Sequence, residues 1–490
     1  MILKVKTLKF YAGKPVCMIH EKTAKKMSLH VGNRVILKNR KRSIISVVDI
    51  ISGLLKPKEI AVSNEIVKYL DLKNRKKIEV SLTSTPHSIE LIKKKLNGEE
   101  LTKKEINEII RDISNNALTE AEVAFFISAV YDKDMTLQET RHLINAMVDT
   151  GCRLRLRGKV ADKHSIGGVA GNRTTPIIIS ICASLGVIMP KTSSRAITSA
   201  AGTADVIETL AKVDFSIRKI KRIIHKTHAC FVWGGALGLA PVDDKIIRIE
   251  KVVKIDSTAQ LLASILSKKI SVDSKYILID IPFGKSAKVT KSKAEKLAKR
   301  FKRLGREFNL KLDAVLTDGS QPIGNGVGPV LEMQDVLDVL RQEGGPKDLE
   351  EKSLMLAGKI LEMTGKARKG KGIIIARDIL ESGRAFKKFR QIINAQKGRI
   401  RDLKPGDYTY VSRAKRKVRI HSLNNKLINN LARQAGSPED KRAGVYLYKK
   451  VNQTVEKGEK IITIYAESKE KLKYAKNFYL ENKKEMIKFY

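Results

Sequence analysis

The sequence predicts a multidomain α/β protein. It reads as a β-rich N-terminal domain, a helical domain, an α/β domain on a central mixed sheet, and a C-terminal α+β domain. Three observations carry this. Apolar and polar residues alternate in short runs through residue 84, as in Val35-Ile36-Leu37 and Ile78-Glu79-Val80-Ser81-Leu82, the period of half-buried strands. Thr102 to Glu105, Thr119 to Glu122 and Thr136 to Glu139 are capping boxes that each open an apolar-periodic helix. From Val160 onward apolar runs alternate with helical patterns, the rhythm of βαβ units with ligands at strand ends.

The elements follow in order. Beyond a turn at Pro86 come the three capped helices, and then Thr174 to Leu185 reads as helix, Val187-Ile188-Met189 as strand, Gly202 to Ala211 as helix and Tyr276 to Asp280 as strand. A further strand runs into Asp318-Gly319, and after residue 400 the chain is β-rich again, with Val445-Tyr446-Leu447 and Ile461 to Tyr465. The domain boundaries read as 1–84, 85–160, 161–400 and 401–490, with room for part of the helical domain to return later in the chain. A length of 490 residues agrees with about three domains.

Composition narrows the class. Hydrophobic content is 42%, and no apolar run reaches the roughly 18 residues of a membrane span. Met1-Ile2-Leu3-Lys4-Val5-Lys6 alternates like a strand and not like a signal peptide, so the expected location is cytoplasmic. Cys17, Cys152, Cys182 and Cys230 are scattered without C-x-x-C spacing, which argues against a disulfide framework and a zinc site. His225 and His228 lie three apart on an expected helix, but no carboxylate or cysteine completes a metal set with them, and no metal is expected. The net charge of +44 attracts anions. With only 5% aromatic residues, the stacking platforms of single-strand binders are not evident. An anionic small substrate is the favoured reading, and no specific nucleic acid is expected.

Two glycine- and hydroxyl-rich segments have the chemistry of oxyanion sites. The first is Lys163-His164-Ser165-Ile166-Gly167-Gly168 and the second is Ser193-Ser194-Arg195-Ala196-Ile197-Thr198-Ser199, continuing to Thr203. Glycines let backbone N–H groups approach a ligand. Lys163 supplies a point charge and Arg195 a planar fork that meets phosphate oxygens in pairs. Two clusters imply two phosphates, or one phosphate and one phosphorylated substrate.

Lys163-His164-Ser165 with Gly167-Gly168-Val169, Ser264 to Lys269, and Leu316-Thr317-Asp318 occur in the order and spacing of the thymidine and pyrimidine-nucleoside phosphorylases, which the chain resembles over most of its length after residue 88. It resembles one branch more closely, the archaeal AMP phosphorylases, in Asp162 to Gly168, in Lys191 to Ser199 and in its extra N-terminal β domain. The resemblance implies phosphorolysis of AMP by inorganic phosphate, a co-substrate, to free base and ribose 1,5-bisphosphate. It implies no metal or organic cofactor and a homodimer or larger homo-oligomer. Lys163, Ser165, a hydroxyl at Thr174 or Thr175, Ser193 and Thr203 match phosphate positions of the family. Gly168, the run Ser194, Arg195, Ala196, Ile197, Thr198 and Ser199, then Thr203, Ser264 and Lys288 match nucleotide positions.

Asp256 matches the family's proton donor, a role that asks burial to raise its pKa. On its own it reads as the N-cap of the following helix. His164 is a second candidate acid or base, and Lys288 reads otherwise as a solvated surface lysine. The arginine that meets the base carbonyl in pyrimidine enzymes is replaced by Ile249, with Arg248 beside it. Purine is therefore favoured, with CMP and UMP left open. A thymidine or pyrimidine-nucleoside phosphorylase is the alternative, and a non-catalytic nucleic-acid-binding protein the remote one. Gly444 to Glu467 resembles the barrel-sandwich hammerhead of lipoyl and biotinyl domains without their Met-Lys-Met signature, so a structural role is expected.

Overall fold

The computed structural model describes residues 1–196 and 199–490. The chain divides into two compact units, Met1–Gly151 with Ala240–Ser264, and Cys152–Leu239 with Ile265–Tyr490.

In the first unit six strands close into a barrel: β1 (Ile2–Lys6), β2 (Val16–His20), β3 (Arg34–Asn39), β4 (Arg42–Ile51), β5 (Glu59–Val62) and β6 (Lys77–Leu82). Their order is β1-β5-β2-β4-β3-β6, and β1 pairs with β6 to complete the ring. Alternation sends Leu3 and Val5, Val35 and Leu37, and Ile78 and Val80 into one core with Cys17, Ile19 and Ile60, while their neighbours on each strand face outward.

Four helices follow, Ser88–Leu96, Lys103–Ser114, Glu120–Lys133 and Leu137–Asp149. All three expected capping boxes form, each Thr accepting from the third residue of its helix while the Glu there accepts from the Thr backbone N–H. The returning segment adds the helix Pro241–Val253. Its Lys245 donates to Ile113 O at 3.1 Å, Ser114 O at 2.6 Å and Asn116 Oδ1 at 2.6 Å. That ammonium satisfies the last carbonyls of the Lys103–Ser114 helix and complements its dipole. Arg34 of the barrel pairs with Glu122 of the bundle. Inside the bundle Lys95 Nζ lies 2.9 Å from Glu139 Oε1, and the same carboxylate accepts from Leu101 N at 2.9 Å and Thr136 N at 2.9 Å.

The second unit centres on β7 (Ala161–Ser165), β8 (Met189–Ser193), β9 (Ala229–Trp233), β10 (Tyr276–Phe283) and β11 (Lys311–Asp318). Strand β10 lies between β7 and β11, β8 pairs with β9, and a bridge from Val160 to Ile188 joins the two sets. A mixed sheet is expected from the sequence, yet every one of these pairings is parallel. Helices such as Thr174–Ser184, Ile217–Thr227 and Lys291–Glu307 carry the chain back between strands, which makes successive strands parallel. Six consecutive residues of β10 are buried, as in a sheet covered on both faces.

Two local readings shift. The strand expected over Val187–Met189 begins at Met189, with Ile188 in the isolated bridge. The helix expected over Gly202–Ala211 is regular only over Thr203–Ile207. Thr209 N and Leu210 N then bond three residues back, and Leu210 O accepts from Arg399 N, so the turn tightens and the helix stops.

Toward the C-terminus, Tyr408–Arg413, Gly444–Leu447, Lys460–Ala466 and Gly326–Val327 form an antiparallel sheet. Helices Asn425–Gln434 and Lys469–Met486 accompany it. Their core holds Ile428, Leu431, Ala432, Val445 and Ile464, and also Ala170 and Ala200 from far earlier in the chain.

Glu139→Ala strands the buried Lys95 ammonium and should cost about 3–5 kcal/mol. Thr102→Ala removes only an exposed cap and should cost about 1 kcal/mol. Denaturation midpoints of the two variants check the order, and equal shifts would contradict it.

Candidate active site

The C-terminal end of β7 carries the first oxyanion segment, and two buried carboxylates fix the lysines around it. Lys163 is 2% exposed. Its Nζ donates to Thr174 Oγ1 at 2.9 Å and lies 3.5 Å from Asp280 Oδ2. Asp280, on the neighbouring β10, also meets Lys352 Nζ at 3.2 Å and accepts from Thr317 Oγ1 at 2.6 Å. Asp162 stands one residue before Lys163, so its side chain points to the opposite face of the strand. It accepts from Lys269 Nζ at 2.6 Å and Lys191 Nζ at 3.1 Å, and Lys191 also donates to Lys163 O at 2.6 Å.

Four ammonium groups thus share two carboxylates, a surplus of positive charge beneath the loop. Burial pushes Lys163 and Lys269 down to about 8, although Asp280 and Asp162 pull them upward. Burial also works against the charge of Asp280, but Lys163 and Lys352 outweigh it and hold the carboxyl below its ordinary value. His164 is held well below its ordinary pKa by burial and by nearby lysines, Lys269 foremost.

Past Ser165 the chain turns through Gly168 at φ +88°, where a Cβ would lie 2.6 Å from Lys288 N. Gly168 therefore lets the Lys288 loop close onto the β7 loop. The helix Thr174–Ser184 follows, and its N-cap Arg173 makes no side-chain capping bond, which leaves its first N–H groups to other acceptors. Arg173 instead donates to Thr203 Oγ1 at 2.8 Å, Ala201 O at 2.8 Å and Glu332 Oε2 at 2.7 Å. It links the first segment to the end of the second.

In the second segment Ser193 Oγ donates to Val232 O at 3.4 Å. Arg195 spends its fork on Glu208, with both contacts at 2.6 Å, and meets Asp205 at 3.2 Å. Its guanidinium sits 5.0 Å from the Trp233 ring centroid. The Glu208 contact raises the Arg195 pKa. To meet a phosphate, Arg195 must exchange Glu208. Asp205 also accepts from Ala196 N and Gly202 N, each at 2.8 Å. Ser194 is exposed, and Ser199 Oγ donates to Ala201 O at 2.6 Å. Ile197 and Thr198 lie outside the described residues.

The remaining expected residues fall in the first unit. Ser264 Oγ donates to Asp243 Oδ2 at 2.9 Å. Asp256 is exposed, and it is not the helix cap: Ser257 Oγ accepts from Gln260 N at 3.1 Å. The cap reading of Asp256 is therefore off by one residue, because the shorter hydroxyl side chain next to the helix takes that bond. Asp256 is thus without the burial its acid role asks for. His228 is a left-handed C-cap on the helix Ile217–Thr227.

Asp280, Lys352 and Arg173 escape a reading of motifs, and Asp162, Lys191 and Lys269 stand inside the matched motifs with no role read for them there. A signal exists for Asp280, a lone carboxylate inside the apolar run Tyr276 to Phe283, since a buried charge requires a partner.

Residues 89–151 match the helical bundle domain of the glycosyl transferase family, and residues 157–386 match that family's a/b domain. Residues 419–483 match the pyrimidine nucleoside phosphorylase C-terminal domain. The chain is 47% identical over 481 residues to the AMP phosphorylase of Pyrococcus horikoshii, covering 97% of this chain and 95% of that one. It is 42% identical over 481 residues to the AMP phosphorylase of Thermococcus kodakarensis, covering 97% and 95%. A putative thymidine phosphorylase of Legionella pneumophila (strain Corby) is 40% identical over 449 residues, covering 91% of this chain and 86% of that one. Among solved structures, the anthranilate phosphoribosyltransferase of Thermus thermophilus shares the fold, with a TM-score of 0.52 at 18% identity over 63% of this chain and 99% of that one. With the matched domains in order and identity sustained across nearly both full lengths, the chain belongs to the AMP phosphorylase family.

Proposed function

We propose that the protein catalyses phosphorolysis of AMP, with inorganic phosphate as co-substrate, to adenine and ribose 1,5-bisphosphate. The observation that supports this most directly is the pair of separate cationic, hydroxyl-bearing segments, one around Lys163 and one around Arg195. A phosphate oxygen attacks C1′ of the ribose, the C1′–N9 bond breaks, and its electron pair leaves with the base. Adenine then needs a proton, which in this reading comes from Asp256. His164 is kept neutral by burial and by its lysine neighbours, so at neutral pH it serves as a hydrogen-bonding group and gives up no proton.

Lys163, Ser165, Thr174 and Ser193 are assigned to inorganic phosphate. The surplus of buried ammonium groups offers a dianion a preorganised electrostatic partner. Gly168, Ser194 to Ser199, Thr203, Ser264 and Lys288 are assigned to the nucleotide, with Arg195 leaving Glu208 for the 5′-phosphate. CMP and UMP belong to the substrate range of this reading, as does a cytoplasmic homo-oligomer of at least two chains. A nucleoside phosphorylase is the second reading. It is favoured by the bidentate Glu208 contact that already satisfies Arg195 and by the 40% identical relative named putative thymidine phosphorylase.

Phosphate-dependent base release from AMP, adenosine and thymidine separates the two. AMP should be consumed only with phosphate present, and Arg195→Ala should raise its KM roughly 10- to 100-fold, the worth of a charged hydrogen bond. Equal turnover of thymidine or adenosine would establish the second reading instead.

A pH dependence follows from Lys163. Its ammonium is protonated below about 8 and neutral above, so the KM for phosphate should be lowest below that pH and rise above it. Lys163→Arg keeps its charge and should move the rise to higher pH, whereas Lys163→Met should raise the KM already at neutral pH. A rise left in place by both substitutions would exclude Lys163 as its source.

A further inference from the structure

The helix Asn425–Gln434 lies within the segment matched to the pyrimidine nucleoside phosphorylase C-terminal domain, far in sequence from every residue assigned to a substrate. Three of its residues, spaced four apart and so on one face, hold loops of the site. Asn425 is fully buried. Its Oδ1 accepts from Ala170 N at 3.0 Å, and its Nδ2 donates to Gly319 O at 2.9 Å and Ser286 Oγ at 3.1 Å. Its amide oxygen and amide nitrogen are both engaged. Asn429 Oδ1 accepts from Ala200 N at 2.9 Å, and Arg433 Nη2 donates to Ser199 O at 2.8 Å.

These contacts fall on one side of the chemistry. Ala170 is two residues beyond Gly168, and Ser286 is two residues before Lys288. The two loops already touch where a Cβ on Gly168 would meet Lys288 N, so one amide fixes both partners of that contact. Ser199 and Ala200 end the Arg195 segment. Ala170 and Ala200 are also seated in the apolar core with Ile428, Leu431 and Ala432. Lys163 and Thr174, by contrast, are held through Asp280 and each other.

We propose that Asn425, Asn429 and Arg433 are positioning residues for the nucleotide half of the site, so that the C-terminal helix sets nucleotide affinity while the buried lysine cluster sets phosphate affinity. The identity of the ligand rests on the AMP phosphorylase reading. The positioning of the loops does not. Misplacing a substrate-binding loop by about 1 Å costs as much as 100-fold, and deleting the Asn425 amide strands buried donors and acceptors on three loops.

The test measures KM for AMP and for phosphate separately, in the full-length protein. Asn425→Ala should raise the KM for AMP about 10-fold or more, with the KM for phosphate changed by less than about 2-fold. Asn429→Ala should shift the same constant several-fold, and Asn429→Asp, which keeps the acceptor used by Ala200, should restore it. A lowered thermal midpoint with both KM values unchanged, or an equal rise in both, overturns the proposal. If Asn425→Ala does not fold, the Asn429 pair decides. Hydrogen exchange without substrate supplies a readout independent of the reaction: segments 166–171 and 284–288 should exchange faster in Asn425→Ala, and unchanged exchange overturns the positioning role. Faster exchange in a protein whose wild type does not split AMP would sustain the positioning and remove the AMP reading.

Discussion

A carboxylate in the middle of a buried strand organises the second unit. Asp280 stands on β10 beside β7, where Ser165 is its register partner and Lys163 lies diagonally across on the same face. Burial favours neutral groups on both sides of that pair, and only their mutual attraction, with Lys352 and Thr317, keeps them charged. The strand cannot slip by one residue without turning Lys163 and Asp280 to opposite faces. Strand register, the orientation of Lys163 and the start of the helix Thr174–Ser184 are thereby one choice. Asp162 repeats the device on the other face with Lys191 and Lys269.

Around that fixed floor the loops gain their shape from distant parts of the chain. Arg173 draws Thr203 and Ala201 toward the end of β7. Asp205 gathers the backbone of Ala196 and Gly202, and Lys441 from the C-terminal region joins Arg195 on Glu208 at 3.0 Å. Arg195 is consequently an occupied cation whose availability depends on competition between Glu208 and an incoming anion. An exchange of one anion for another costs less than exposing a bare buried charge. It lets the Arg195 side chain be held in place before a ligand arrives.

Local signals are legible in the sequence, whereas relations across it are not. The three capping boxes involve residues three apart, and each forms as expected. Period-2 alternation places β3 and β6, and the apolar run at Tyr276 places β10. The glycine and lysine loop after β7 stands out because phosphate chemistry needs those residue types side by side. The Asp280 partners, the Arg173 fork, the Glu208 clamp and the Asn425 amide join residues from 13 to 255 positions apart, and no spacing rule announces such pairs. The expectation of a mixed sheet fails because strand direction depends on the crossovers between strands. The cap expected at Asp256 falls one residue too early because Asp and Ser cap equally well and only geometry selects Ser257.

The first unit is not contiguous: Ala240–Ser264 joins it after an excursion that begins at Cys152. Lys245, which closes the carbonyl end of the Lys103–Ser114 helix, emerges from the ribosome long after that helix. At about 5–20 residues per second, the bundle waits on the order of ten seconds for its last piece. During that interval the barrel has every strand it needs, whereas the bundle does not. Order of synthesis therefore separates a barrel that can mature early from a helical layer that must remain unfinished until much of the following α/β segment has been made.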